Sequence, residues 1–85
     1  MGGKMLTLHQ AAIDLVSRMV THNDMVGNPT ETNDSVCVVP VANFNFSEIT
    51  MFTVEVVDEK LKITKEEKVV EKSKIDEITI KAFKS

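Results

Sequence analysis

The spacing of apolar positions changes along the chain, and each change predicts an element. Leu8, Ala12, Leu15, Val16 and Met19 recur on one helical face, with Gln10, Asp14, Ser17 and Thr21 opposite. Thr7, followed three residues later by Gln10, fits a capping box, so a helix is expected over residues 8–22. Ala11 on one flank and Ile13 with Val20 on the other widen the stripe to roughly 200°, where a surface helix needs little more than about 100°. Asp14 and Arg18, four apart with the acid first, mark the wet side.

Residues 24–35, DMVGNPTETNDS, read as a loop: Gly27 can close the helix, Pro29 forbids its continuation, and Asn and Asp favour turns. Strand propensity takes over at Val36–Val41, interrupted by Pro40, and again at Ile49–Val57. Pro40 cannot donate to a ladder, so the first of these strands is expected to be an edge, to end there, or to bulge. A turn at Asp58 and Glu59 leads to a strand with Leu61 and Ile63. TKEEK predicts another turn, into Val69 and Val70, and IDEITIKAF a last strand, since Ile78, Ile80 and Ala82 alternate with Thr79 and Lys81. The expected fold is α+β: an N-terminal amphipathic helix packed on a 4–5-stranded antiparallel meander sheet. It forms a single domain over 1–85, divided into a tail (1–5), helix (8–22), loop (24–35) and sheet (36–83).

A face is left over in that arrangement. Around Cys37–Val39 and Val54–Val57 consecutive residues are apolar, so both faces of those strands need cover, and one helix covers one face. A chain this short buries only about two thirds of the surface its unfolded form exposes. The economical solution is a second copy, so a homodimer or higher homo-oligomer is expected. Its interface would draw on Ile13, Val20, Val36, Val39, Val41, Val54 and Val56.

Composition narrows the function classes. Hydrophobic residues at 42% beside 27% charged ones describe a chain that folds. A net charge of −3, with lysines interleaved among glutamates, argues against nucleic acid as a partner. No apolar run approaches the roughly 20 residues that span a bilayer. The single cysteine, Cys37, and the lack of a secretory-type leader favour a cytoplasmic setting. Short acidic chains of this kind are common among prokaryotic and phage proteins.

Candidate chemistry is sparse. Cys37 with His9 or His22 could pair a thiol with a base, but the VCVV setting makes Cys37 a small buried hydrophobe. His9 and His22 lie thirteen apart, on different sides of a helix, and His22 with Asp24 lacks further ligands. Glu48 and Glu55 have opposite strand parity. No catalytic residue, metal ligand or cofactor is expected. Phe44 and Phe46 of NFNF alternate onto one face, as core or, with Asn28 from the loop, as the wall of a small-ligand pocket. The run LKITKEEKVVEKSKIDEITI resembles the strand, charged turn, strand and I-D-x-I step of bacterial pleckstrin-homology-like and GRAM-like modules; it spans less than a quarter of the chain on common residue types, and no family is assigned from it. The function expected is that of a small non-enzymatic protein acting through protein–protein interaction, as a homo-oligomer. The alternative is a ligand-binding module built on the 24–35 loop.

Overall fold

The β-branched runs form strands where propensity places them. In a computed structural model describing residues 4–21, 23–33 and 35–83, β3 spans Val36–Ala42 and β4 spans Ile49–Val57. They follow α1 (Lys4–Ser17), β1 (Met25–Val26) and β2 (Glu31–Thr32), and precede β5 (Lys60–Val69), α2 (Lys72–Ile78) and a π-helical turn, Thr79–Phe83. The α+β class stands, with two helices and an antiparallel sheet. β3, β4 and β5 pair in sequence, and β1 and β2 lie one after the other along the outer edge of β3, so the sheet is four strands wide.

Several expected boundaries are corrected. α1 begins at Lys4, so Thr7 sits inside the helix rather than at its cap. It ends at Ser17, where Met19 N–H turns back to the Val16 carbonyl at 3.0 Å. His22, the expected helix end, lies outside the described residues. The 24–35 segment is not merely a loop, because β1 and β2 supply the sheet edge. TKEEK makes no turn: β5 runs through it for ten residues. The expected last strand, IDEITIKAF, is α2 and the π turn.

Pro40 lies inside the sheet, in β3, and the register explains how. Val38 and Pro40 direct their carbonyls to the β1–β2 edge, accepting from Thr30 N–H at 2.9 Å and Gly27 N–H at 2.8 Å. The missing Pro40 donor therefore faces the gap between β1 and β2, and the β3–β4 ladder loses nothing.

Cross-strand partners share a face. Cys37↔Val54, Val39↔Phe52 and Val41↔Thr50 define one; Val38↔Thr53, Pro40↔Met51 and Ala42↔Ile49 define the other. On the first face Leu8, Ala12 and Val16 of α1 share a buried cluster with Cys37, Val39, Val41, Phe52 and Val54. On the second, Ile75 of α2 is buried with Ala42 and Ile49, rimmed by Phe46, Met51, Val69, Ile78 and Phe83. The face left over in the sequence reading is thus partly covered by the chain's own C-terminal helix.

β5 serves both clusters through a bulge. Val54 pairs with Ile63 but Thr53 with Lys65, leaving Thr64 as the extra residue. Leu61 and Ile63 consequently face the α1 side, while Val69, opposite Ile49, faces the α2 side. Uninterrupted alternation would place all three on one face.

Candidate functional site

The turn end of the β3–β4 hairpin is assembled by polar side chains. Asn43 closes the loop: its Oδ1 accepts from Ser47 N–H at 2.9 Å and Glu48 N–H at 3.2 Å, and its Nδ2 donates to Ser47 Oγ at 2.8 Å. Phe46 N–H donates to the Asn43 carbonyl at 3.0 Å, and Phe46 itself takes φ 54°, the left-handed conformation. That backbone turns the Phe46 ring toward the α2 side, where it meets Phe83 edge-on, with centroids 5.1 Å apart and planes at 83°.

Phe44, Phe46 and Asn28, expected to wall a pocket, take different settings. Phe44 stands 74% exposed at the turn tip, apart from Phe46. Asn28 donates its backbone N–H to the Ala82 carbonyl at 3.0 Å. Phe83 takes the space between: a Cβ built on Gly27 would come within 2.8 Å of its ring, so glycine is what lets the aromatic seat there.

The residues expected at an interface divide. Val39, Val41 and Val54 are buried in the chain's own core, at 0%, 5% and 0% exposure, and their burial needs no second copy. Ile13, Val20 and Val36 are half-buried, and Val56 is exposed. Cys37 is fully buried in the α1-side cluster. Glu55 and Glu48 are apart in role: Glu55 accepts from the Thr64 hydroxyl beside the bulge, and Glu48 pairs with Lys68 at 3.8 Å. Among the described residues no group of three or more His, Cys, Asp or Glu could hold a metal, and no helix is long and apolar enough to cross a membrane.

One open pocket of about 270 Å³ lies on the α1 side, beyond the end of α1. Its floor is Val41, Thr50 and Phe52 of the sheet. Met19, Val20, Thr21 and Asp24 form one wall, Asn43 and Glu48 the hairpin wall, and Glu66 and Lys68 of β5 the third. Asp24 Oδ2 accepts from Thr21 N–H at 3.3 Å and Thr21 Oγ1 at 3.2 Å, which holds that wall in shape. Sequence reasoning missed this site because Glu66 and Lys68 reach it only through the Thr64 bulge, and no residue type announces a bulge there. The one available signal was the charge run from Lys65 to Lys68, read as a turn. Among the described residues, three carboxylates and one ammonium stand around a floor of Val41, Thr50 and Phe52, so the lining is largely polar.

Neither the protein-family models, the curated proteins nor the solved structures contain a match to this chain.

Proposed function

We propose that the chain is a small, non-enzymatic, cytoplasmic protein that acts through protein–protein contact, first with a second copy of itself, using the α1 face of the β4–β5 hairpin. The observation that carries this is the sorting of charge on that hairpin. Lys60, Lys62 and Lys65 pair with Val57, Glu55 and Thr53 and so share the α2 side with them, whereas the α1 side of the same stretch presents Val56, Leu61 and Ile63. Helix α1 packs against β3 and β1, and Val56 is left 41% exposed. A two-fold contact brings a strip against its own copy, so a charged strip repels itself and an uncharged one does not. Ile13, half-buried on α1, is the remaining candidate for the contact's margin, because Val36 pairs with Glu55 on the α2 side and Val20 lines the pocket beyond α1.

Sedimentation of the unmodified protein at micromolar concentration tests this. A dimer or larger assembly is expected, and Val56→Lys should yield a folded monomer. A compact, dilution-resistant monomer of the unmodified chain would refute it.

A further inference from the structure

A different part of the molecule gathers exposed apolar groups. Met19 is 58% exposed at the pocket wall, Phe44 74% exposed beside the lining residue Asn43, and Val70 69% exposed just beyond Lys68. The register places them at one end of the sheet, since Phe44 sits in the β3–β4 turn and Ile49, which follows that turn, pairs with Val69. Solvated apolar side chains at the mouth of a concave site are characteristic of docking surfaces rather than of a finished monomer surface.

Charge selects the occupant. Asp24, Glu48 and Glu66 enter the pocket wall from three separate segments; among the described lining residues they face a single cation, Lys68, which Glu48 already engages. We infer that this end of the sheet docks a basic amphipathic segment of a partner protein, its apolar residues packed against the exposed Met19 and Phe44 and its lysines or arginines directed to Asp24 and Glu66. A second copy fits less well here, because a two-fold contact would bring these carboxylates toward their own counterparts. Methionine at the rim suits a segment whose side chains vary, since its unbranched thioether adapts its packing. The pocket lies at the other end of that face from Val56 and Leu61 and shares no residue with the strip, so Val56→Lys tests dimerisation and Glu66→Gln tests docking.

The test is a chemical-shift titration of the full-length, isotope-labelled chain with two synthetic amphipathic peptides, one of leucine and lysine, the other of leucine and glutamate. The basic peptide should shift the amides of Thr21, Asn43, Thr50 and Glu66 in a saturable way that weakens as salt is added. Glu66→Gln, an exposed change, should weaken it about threefold, as loss of one surface charge contact does. Equal binding of both peptides, shifts centred elsewhere, or no binding overturns the inference. Concentration-dependent shifts of the same amides without peptide also overturn it, by assigning this end to self-association.

Discussion

The two faces of the sheet are covered by helices in different ways. On the α1 side eight buried residues from α1, β3 and β4 make one cluster, and each inward position on the strands is a β-branched residue, cysteine or phenylalanine. On the α2 side three buried residues form the centre, and the rest is a rim of half-buried side chains closed by the Phe46–Phe83 contact and the notch at Gly27. The first cluster is held by many interchangeable apolar contacts. The second depends on a few shapes that must fit. Mutational sensitivity should therefore be spread evenly in one and concentrated in the other.

The largest effect is expected from Val39→Lys, which puts an unpaired charge in a fully buried position; the chain should fail to fold, as read by circular dichroism. A folded product would mean the α1-side cluster is not the core. Ile75→Ala in α2 should cost about 2–5 kcal/mol in denaturant unfolding, the range for truncating a buried isoleucine. A loss too small to resolve there would show that the C-terminal helix lies outside the cooperative unit.

Gly27→Ala sharpens the contrast. The added methyl meets the Phe83 ring, so the cost should be about 1–3 kcal/mol, and Phe83→Leu in the same chain should recover part of it. Additive losses from the two changes would dissolve the proposed notch. Glu59→Gly should stabilise by up to about 1 kcal/mol, because Asp58 and Glu59 both hold positive φ, 52° and 64°, in the two-residue β4–β5 turn. A lower melting temperature would contradict that turn. The smallest effect belongs to Met19→Asp. A long apolar stripe over residues 8–22 makes Met19 a core residue, yet with α1 ending at Ser17 it is exposed, and the change should stay within about 0.5 kcal/mol.

What the amino acids alone determined is what local chemistry controls. The runs Val36–Val41 and Ile49–Val57 are strands because β-branched residues suit a pleated surface, and the second has the bounds expected of it. Asp58 and Glu59 turn because nothing apolar there needs burial. A helix near the N-terminus followed from the 3.6-residue spacing, though its bounds moved to Lys4–Ser17. Tertiary structure decided the rest. Ile78, Ile80 and Ala82 fit a strand, while Ile75, Ile78, Ala82 and Phe83 fit a helix, and the two periods coexist in the same letters. The helix prevails because the face bearing Ala42 and Ile49 needs cover: it buries Ile75 and Ala82 and leaves Ile80 64% exposed. The site was equally hidden, since Glu66 and Lys68 face the pocket only because Thr64 is looped out. A bulge is a property of two paired strands, where one residue's displacement is balanced by the burial of Leu61, Ile63 and Val69 on opposite sides, and that balance exists only once the sheet has formed.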